Sequence, residues 1–343
     1  MPAFSSPSIA QLFAPGAVIP AHPLALDANG AVDWTSQRAL TRYYFDAGAH
    51  GVAVGVHTTQ FALHNDQALL ADVWTNAVEV AAAVQRPVCL VAGVRGRADS
   101  AQREAGVAVE LGYHAALLSP APDASDDEVL TMAAAVGEVM PTLGFYMQDD
   151  VGGRYLGIDF WRSLFAQPAI IGVKIAAFDR YRTGEVMRAL LESGRDDVAL
   201  LTGNDDNIIA DLATTYSSAG RSAAFSGGLL GQWAVGTKAA VDWSARAAAA
   251  RTSGSVSADV LTAGTWITEI NGAVFDVKNR FAGCVPGVNE VLRQQGLVGT
   301  SVCLNDVDRL SAGQVEEIAE MRRRYPELLD ETFIAQNVER WRA

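Results

Sequence analysis

The chain of 343 residues carries 26 Lys and Arg against 39 Asp and Glu, which gives a formal net charge of −13. This charge repels phosphate backbones and anionic membrane surfaces, so the composition argues against nucleic-acid and membrane partners. Small anionic substrates stay compatible with it, because salt screens a diffuse field within about 10 Å at ~0.1 M. Half of the residues are hydrophobic, enough to bury a sizeable core.

The three cysteines, Cys89, Cys284 and Cys303, are widely spaced and odd in number. They form neither a disulfide framework nor a recognisable zinc-binding pattern, so we expect a reducing compartment. Met1 to Phe13 lacks the basic start and the continuous apolar stretch of a signal peptide, and no run of about 18 apolar residues follows. We therefore expect a cytoplasmic protein.

Short apolar runs alternate with longer amphipathic segments, a pattern typical of parallel strands joined by helices. The eight predicted strands are Ala17 to Ala21, Gly51 to Val54, Val88 to Ala92, Ala115 to Leu118, Thr142 to Tyr146, Ile170 to Lys174, Val198 to Thr202 and Ala223 to Phe225. The predicted helices between them include Thr35 to Ala47, Gln67 to Val84, Ser100 to Leu111 and Asp126 to Val139. No glycine-rich dinucleotide-binding fingerprint follows the first strand, so we favour a closed (β/α)8 TIM barrel over an open doubly wound sheet.

Four further helices are predicted after the eighth strand. They are Thr237 to Ala250, Ser257 to Phe275, Val285 to Gln295 and Ser311 to Tyr325. We therefore divide the chain into a barrel at residues 1–235 and a C-terminal helical extension, packed on the barrel, at residues 236–343. The Gly- and Ser-containing interval Thr252 to Val256 is interpreted as a loop between packed helices, with a domain linker as the alternative.

Polar residues at the ends of apolar strands are candidate site residues, because the active sites of such barrels lie at the carboxyl-terminal ends of their strands. Lys174 lies in the otherwise apolar segment Ile170 to Ala177, where burial favours the neutral, nucleophilic amine. The alternative is a lysine that caps the strand and faces solvent or a carboxylate. Tyr146 ends the preceding strand, and its phenol is expected to approach Lys174 and to transfer protons there. A half-buried aromatic side chain with one hydrogen bond is the alternative for Tyr146.

The loop after the second strand reads Gly55-Val56-His57-Thr58-Thr59-Gln60-Phe61. Its glycine permits a tight turn, and its successive amides and hydroxyls are suited to binding a carboxylate. Taken alone, a Thr-Thr turn can equally satisfy its own loop backbone.

Together these segments resemble the dihydrodipicolinate synthase and N-acetylneuraminate lyase family, lysine-dependent class I aldolases and dehydratases that act on pyruvate or related 2-keto acids. The resemblance covers nearly the whole chain. The segments that carry it are Pro23 to Trp34, Thr58-Thr59, Phe145-Tyr146, Gly172-Val173-Lys174 and Gly203-Asn204-Asp205. The 28-residue step from Tyr146 to Lys174 is similar to the family's spacing.

The resemblance implies that Lys174 forms a Schiff base, that Tyr146 shuttles protons and that Thr58, with Thr59 and the adjoining amides, binds the keto-acid carboxylate. The remaining pocket would be lined by residues after the seventh and eighth strands: Gly203, Asn204, Asp205, Phe225, Ser226 and Gly227. The resemblance also implies a homo-oligomer, dimer or tetramer, and no cofactor or metal beyond the covalent imine with Lys174.

Several positions depart from the family pattern. His57 stands near the first Thr of the family's Gly-X-Thr-Thr-Gly-Glu loop, and His22 ends the first strand where the family has a small or hydroxyl residue. Both histidines are therefore candidates to line the pocket, and His57 is a candidate catalytic residue in a changed proton relay. A divalent metal held by both histidines with Asp205 or Gln60 is a minor alternative, although no tight ligand spacing such as His-x-x-x-His occurs.

Two further departures argue against dihydrodipicolinate synthesis itself. Val151 occupies the place of the arginine that recognises the second substrate in that branch, with Arg154 three residues later. The segment Ser119 to Asp123 lacks the interface tyrosines of the synthases. We therefore predict a lyase that cleaves, condenses or dehydrates through a Lys174 imine, with an inactive barrel that only binds a keto or sugar acid as the alternative.

Overall fold

The computed structural model describes residues 6–218 and 220–343. Residues 1–5, part of the segment in which we predict no signal peptide, lie outside the described residues. The strands are β1 (Ala17–Pro20), β2 (Gly51–Val54), β3 (Cys89–Gly96), β4 (Ala115–Pro120), β5 (Thr142–Met147), β6 (Ile170–Ala176), β7 (Ala199–Thr202), β8 (Thr215–Ser218), β9 (Arg221–Ala224) and β10 (Gly227–Leu230).

Eight of these strands form one parallel sheet in the order β1, β10, β7, β6, β5, β4, β3, β2. A parallel bridge between Ala21 and Ala53 joins its two end strands, and the His22 amide donates to the Ala53 carbonyl at 2.8 Å. The sheet therefore curves into a nearly closed barrel surrounded by helices, and the predicted (β/α)8 fold is confirmed.

The helices surround the barrel and continue beyond it. They are α1 (Pro7–Ala10), α2 (Trp34–Asp46), α3 (Gln67–Ala82), α4 (Ala98–Leu111), α5 (Asp126–Gly137), α6 (Ile158–Phe165), α7 (Arg180–Ser193), α8 (Ile208–Ala213), α9 (Thr237–Ser253), α10 (Ala258–Val274), α11 (Cys284–Gln294), α12 (Gln314–Arg324) and α13 (Glu331–Arg342). None of the helices in the described ranges is long and apolar enough to cross a membrane.

Capping residues explain where several helices begin. The Ser125 hydroxyl accepts from the Glu128 amide, and the Glu128 carboxylate accepts from the Ser125 amide, so both ends of a capping box stabilise the start of α5. The Asp33 carboxylate caps α2 by accepting from the Ser36 amide at 3.1 Å. Each cap satisfies backbone donors that would otherwise lack a partner.

The buried side chains form two layers. One layer fills the interior of the barrel, with inward-facing residues from its strands such as Ile19, Val91 and Leu143. The other lies between the barrel and the helices and contains large buried aromatic residues such as Trp74 and Trp161. This alternation of inward and outward residues along each strand decides which side chains reach the barrel mouth.

The predicted eighth strand, Ala223 to Phe225, is wrong. Residues 221–224 instead form the second strand of an antiparallel hairpin with β8, and the eighth barrel strand is β10, Gly227–Leu230. Both segments are short and flanked by small residues, so periodicity could not choose between them. The other seven predicted strands overlap the observed ones, although β3 extends four residues further than predicted.

The helices after β10 pack on the barrel. Helix α9 packs against β1, and α13 packs against α2, where the Trp341 indole donates to Asp46 at 2.6 Å. The Asp330 carboxylate also accepts from the Tyr43 hydroxyl at 2.7 Å. The interval predicted as a loop is the end of α9, a left-handed Gly254 and a short turn into α10. The division of the chain at residue 235 stays a prediction.

Candidate active site

A small cavity of about 60 Å³, here called the inner cavity, lies at the carboxyl-terminal ends of the barrel strands. It is lined by residues from the strand ends, the following loops and the C-terminal segment. They are Ala21, Val56, His57, Thr58, Phe145, Met147, Gln148, Val151, Lys174, Ala176, Phe178, Gly203, Asp205, Gly231, Phe275, Phe281 and Cys284. The structure thus brings together Lys174, His57, Thr58, Gly203 and Asp205 of the predicted site residues.

A β-bulge directs Lys174 into this cavity. Strands β5 and β6 pair Thr142 with Ile170 but Leu143 with Gly172, so Ile171 is an extra residue on β6. A bulge of this kind reverses the faces of all later residues on its strand. Lys174 consequently faces the mouth of the barrel, where its side chain is 7% exposed.

The same register places Tyr146 outside the cavity. Phe145 pairs with Lys174, and the Lys174 Nζ lies 4.5 Å from the centroid of the Phe145 ring. Tyr146 pairs with Ile175 and is fully buried between barrel and helices, where it stacks on Trp161 with ring centroids 5.3 Å apart. The structure therefore contradicts the predicted approach of the Tyr146 phenol to Lys174, because successive residues of a strand face opposite sides.

Burial and one nearby carboxylate set the charge state of Lys174. Burial lowers the pKa of Lys174 to about 8, against the opposing effect of the Asp205 charge. Burial likewise raises the pKa of Asp205 to about 7, although the Lys174 charge and the Gln232 amide oppose this shift. The Gln232 amide donates to Asp205 Oδ1 at 3.2 Å. The cavity thus holds an amine and a carboxyl group that both titrate near neutral pH.

The loop after β2 presents His57 and two free amides to the cavity. Residues His57–Thr59 form one helical turn, and the amides of His57 and Thr58 have no acceptor within the described part of the chain. Burial lowers the pKa of His57 to about 4, assisted by the positive charges of Lys174 and Arg95. The His57 ring is therefore neutral at neutral pH.

The two threonine hydroxyls of this loop hold backbone groups. The Thr58 hydroxyl donates to the Ala21 carbonyl at 2.8 Å, so this hydroxyl in the cavity wall already holds the backbone of the first strand's end. The Thr59 hydroxyl donates to the His22 carbonyl at 2.6 Å and accepts from the Gly55 amide at 3.0 Å. The structure places Thr59 behind the cavity, and its hydroxyl is occupied by the loop itself.

Gly203 and Asn204, after β7, have different positions. A Cβ atom on Gly203 would lie 2.8 Å from Lys174 Cε, so only glycine leaves room for the lysine side chain as it stands. The Asn204 side chain turns away from the cavity and accepts from the Phe178 amide at 3.0 Å, while its Nδ2 donates to Asp211 at 2.9 Å. Asn204 therefore supports the loop and does not line the cavity as predicted.

Four other predicted residues lie outside the cavity. His22 is fully buried, with its Nδ1 2.7 Å from the Pro23 carbonyl and its Nε2 2.8 Å from the Thr41 hydroxyl. Ser226 and Gly227 lie at the amino-terminal end of β10, at the opposite end of the barrel, and Phe225 is buried just before them. Because the eighth strand was predicted at the wrong residues, Phe225, Ser226 and Gly227 were expected at the wrong end of the barrel.

Sequence reasoning missed the contribution of the C-terminal segment. Phe275, Phe281 and Cys284 close one side of the inner cavity, and no spacing pattern in the sequence indicated this contact. Gly231, which follows β10, also lines the cavity and could have been found from the correct eighth strand. Phe281 and Phe178 have positive φ values of 64° and 49°, and their rings contact each other at an interplanar angle of 60° with centroids 5.7 Å apart.

A larger cavity of about 700 Å³, here called the vestibule, adjoins the inner cavity. The two share Gln148, Phe178, Asp205, Phe275 and Phe281 in their walls. The Gln148 Nε2 atom and the Asn271 Oδ1 atom are buried and form no hydrogen bond with described residues. Gln148 and Asn271 thus both line the vestibule, and each has one buried amide atom without a partner among the described residues.

The position predicted for a substrate-binding arginine lacks a cation. Val151 lines the inner cavity, and Arg154 lies outside it. The Arg154 guanidinium contacts Asp126 at 2.6 Å and donates to the Ala124 carbonyl at 3.0 Å. Arg154 is thus held on the α5 side and does not replace the missing group.

The structure does not assemble the two-histidine metal site that the sequence left open. His22 and His57 lie on different sides of the barrel wall, with only His57 in the cavity. Within residues 6–218 and 220–343, no group of three or more His, Cys, Asp or Glu side chains is arranged to hold a metal ion.

No protein-family model matches the sequence, and no curated protein matches it. Solved structures do match it. A dihydrodipicolinate synthase from Bacillus anthracis has a TM-score of 0.74 at 18% identity, covering 90% of this chain and 98% of its own. The protein shares the fold of this enzyme family.

Two further structures with this fold were determined with pyruvate. The N-acetylneuraminate lyase of Fusobacterium nucleatum has a TM-score of 0.73 at 16% identity, covering 92% of this chain and 98% of its own. YagE, a prophage protein of the dihydrodipicolinic acid synthase family from E. coli K12, has a TM-score of 0.72 at 16% identity, covering 91% of this chain and 98% of its own. Strong structural neighbours of the protein are thus dihydrodipicolinate synthases and N-acetylneuraminate lyases.

Proposed function

We propose that the protein is a lyase of the dihydrodipicolinate synthase and N-acetylneuraminate lyase family. In this proposal Lys174 forms a Schiff base with a small 2-keto acid of the pyruvate type, for aldol cleavage, condensation or dehydration. The observation that carries it is the buried Lys174 amine in a cavity at the carboxyl-terminal ends of the strands. The folds of two neighbours determined with pyruvate support it.

The lowered pKa makes Lys174 a usable nucleophile. With a pKa of about 8, roughly a tenth of the amines are neutral at pH 7, about 300-fold more than for an ordinary lysine. A neutral amine can attack the ketone carbon of a 2-keto acid, and loss of water then gives the imine. The other Lys174 amines, roughly nine in ten at pH 7, are protonated, and their positive charge attracts the substrate carboxylate.

The dimensions of the two cavities favour a substrate with a small keto-acid end. The inner cavity of about 60 Å³ holds roughly four water-sized groups. The free amides of His57 and Thr58 can bind the carboxylate there. The vestibule can take the rest of a longer substrate, beside the Gln148 and Asn271 side chains in its wall. Aldol and dehydration chemistry use the same imine, so both reactions remain within the proposal.

Reductive trapping tests the proposal directly. The chain has three lysines, Lys174, Lys238 and Lys278, and the last two form exposed ion pairs with Asp242 and Glu317. We expect borohydride with pyruvate to modify Lys174 alone, as read by peptide mass spectrometry. Lys174→Met should abolish the adduct, and Lys238→Met should leave it unchanged. Trapping at an exposed lysine only, or no adduct with pyruvate and several longer 2-keto acids, would contradict the lysine mechanism.

The second candidate is a barrel that binds a keto or sugar acid without catalysis. It is favoured by Phe145, an apolar ring at the position that faces Lys174. Calorimetry with pyruvate, run beside the trapping experiment, separates the two candidates, because the binding-only barrel takes up pyruvate without forming an adduct. Dihydrodipicolinate synthesis is disfavoured because Val151 cannot pair with a substrate carboxylate.

Two further properties belong to the proposal. We infer a reducing, cytoplasmic environment, which is supported by three buried and unpaired cysteines, Cys89, Cys284 and Cys303. We also infer a homo-oligomer, dimer or tetramer, whose mass light scattering after gel filtration would measure.

A further inference from the structure

Imine chemistry at Lys174 needs a group that moves protons, and the expected phenol faces the wrong side of β5. An acid must protonate the carbinolamine hydroxyl before water leaves, and a base must take a proton from the carbon next to the imine. Four titratable side chains line the inner cavity among the described residues: His57, Lys174, Asp205 and Cys284. Lys174 is consumed by the imine, so three candidates remain.

Two of the three are poorly suited to both steps. His57 is neutral, and its lowered pKa makes the imidazole a weak base at neutral pH. The Cys284 thiol is held protonated, because burial and the nearby Asp205 charge raise its pKa well above the usual range. A thiol in this state is a poor acid. Asp205 is the group that can both give and accept a proton near neutral pH.

The geometry of Asp205 supports this assignment. It follows β7, whose residue Leu201 pairs with Lys174 on β6, and it lines both the inner cavity and the vestibule. Its carboxyl is fixed on one side by the Gln232 amide at Oδ1, and its carbonyl accepts from Asn271 Nδ2 at 2.7 Å. The other oxygen, Oδ2, accepts no hydrogen bond from a described residue. Asp205 thus lies in the wall between the two cavities and has one carboxyl oxygen without a hydrogen bond from a described residue.

We propose that Asp205 is the catalytic acid and base of the Lys174 imine cycle, in place of a tyrosine. This inference rests on the proposed function. The Asp205 carboxylic acid gives its proton to the carbinolamine hydroxyl, the carbon–oxygen bond breaks, and water leaves with the formation of the protonated imine. The resulting carboxylate then takes a proton from the adjacent carbon, and the electrons of that carbon–hydrogen bond form the enamine. One proton is thus released and recovered, and no other reactant is required.

The assignment predicts a pH dependence for the second step. Enamine formation requires the Asp205 carboxylate, so its rate should rise with pH through the titration of this group. Asp205 interacts electrostatically with Lys174, Cys284 and the adjoining Asp206, and His57 lines the same inner cavity. The vestibule wall that Asp205 also lines carries the further charged groups Asp149, Asp150, Asp179, Arg182 and Arg280. During this step Lys174 is a positively charged imine, and its charge favours the Asp205 carboxylate.

The test follows exchange of pyruvate methyl protons with deuterium by NMR, with borohydride trapping measured on the same samples. Asp205→Asn should retain the Lys174 adduct at equilibrium, while exchange falls about 10²-fold or more and loses its rise with pH. Asp206→Asn, which removes the same charge from the next residue outside the inner cavity, should exchange within about threefold of wild type. Phe145→Tyr in the Asp205→Asn background should restore part of the exchange by placing a phenol opposite Lys174.

The outcomes separate the inference from the function on which it rests. Absence of the Lys174 adduct in the wild-type protein would refute the proposed function. An adduct in the wild type, with exchange in Asp205→Asn within about threefold of the wild-type rate, overturns the role of Asp205 alone. Equal losses of exchange in the Asp205 and Asp206 variants overturn it as well, because a general charge effect would then explain both. If Asp205→Asn does not fold, Asp205→Glu keeps a carboxyl and should slow exchange while preserving its rise with pH; an unchanged rate overturns the assignment.

Discussion

A single methyl group at Gly203 should disturb the lysine without touching any charge. The Cβ of Gly203→Ala would lie 2.8 Å from Lys174 Cε, 2.8 Å from Ala176 Cβ and 3.2 Å from the Ile175 carbonyl oxygen. Ordinary carbon contacts are about 3.5–4.0 Å, so the groups must separate by roughly 1 Å. The lysine side chain can move, but Ala176 and Ile175 belong to β6 and are held by its sheet bonds.

Two effects of different size follow from these distances. Overpacking should lower the free energy of unfolding by about 1–3 kcal/mol. A displacement of about 1 Å at the nucleophile should slow imine formation by about 10²-fold, since reaction rates are that sensitive to position. The rate is measured as borohydride-trapped adduct against time with pyruvate, and the stability by urea unfolding.

Gly184→Ala is the matched control for this change. Gly184 lies inside α7, and a Cβ there would have no atom within 4 Å. The same methyl group should therefore stabilise the protein by about 1 kcal/mol through helix propensity, with trapping at the wild-type rate. If Gly203→Ala formed its adduct as fast as wild type and unfolded at the same urea concentration, the close packing of Gly203 on Lys174 would be refuted.

The remaining predictions concern the histidine, the second substrate and stability against pH. His57→Asn should leave Lys174 trapping and turnover within about threefold of wild type, because a neutral imidazole with a lowered pKa is a poor acid and a weak base; a fall of about 10²-fold would instead assign the proton transfer to His57. The protein should not condense pyruvate with aspartate semialdehyde at a useful rate, because Val151 cannot bind that carboxylate; robust condensation in a coupled assay would contradict this. Burial raises the pKa of Asp330 from 3.8 to about 6, so the stabilisation from its protonated form is complete below pH 4 and is lost as the pH rises through 6. Relative to Asp330→Asn, the wild-type free energy of unfolding should therefore fall by about 2 kcal/mol between pH 4 and 6, out of about 3 kcal/mol over the whole titration, and parallel pH curves would show that Asp330 is not the group responsible.

The sequence was sufficient for those features that depend on local pattern. Alternating apolar runs and amphipathic segments predicted the barrel, and seven of its eight strands, because burial on both faces of a parallel strand leaves a recognisable apolar run. Lys174 was identifiable for the same reason, as a charged residue in a segment that is otherwise apolar. The loop with His57 and Thr58 was found from its glycine and its polar residues after a strand.

The eighth strand shows where local pattern stopped being informative. Both the hairpin strand Arg221–Ala224 and the barrel strand Gly227–Leu230 are four residues long, and apart from Arg221 they consist of small or apolar residues. The two segments differ in the strand with which they pair: Arg221–Ala224 pairs with β8, and Gly227–Leu230 pairs with β1. A Cβ on Gly227 would lie 2.0 Å from the Ala17 carbonyl oxygen, so its glycine allows β10 to lie close to β1 and complete the barrel.

Residues distant in sequence decided the rest of the site. Phe275, Phe281 and Cys284 reach the inner cavity because the C-terminal segment folds over the barrel mouth. Asp205 was predicted as a wall residue, with a metal ligand as the alternative, and its proposed catalytic role rests on the free carboxyl oxygen and on Phe145, instead of a tyrosine, facing Lys174. Neither fact is encoded in spacing along the chain.

The sequence by itself therefore determined that a lysine lies near the carboxyl-terminal end of the sixth strand of a barrel, but only the tertiary structure decided what that lysine faces. The 28-residue step between Tyr146 and Lys174 suggested a pair, and the strands begin in that register with Thr142 opposite Ile170. The extra residue at Ile171 shifts the register by one, so Phe145 instead faces Lys174. Because side chains alternate with a period of two, a shift of one residue exchanges the inner and outer faces, and strand pairing rather than sequence spacing fixes that shift.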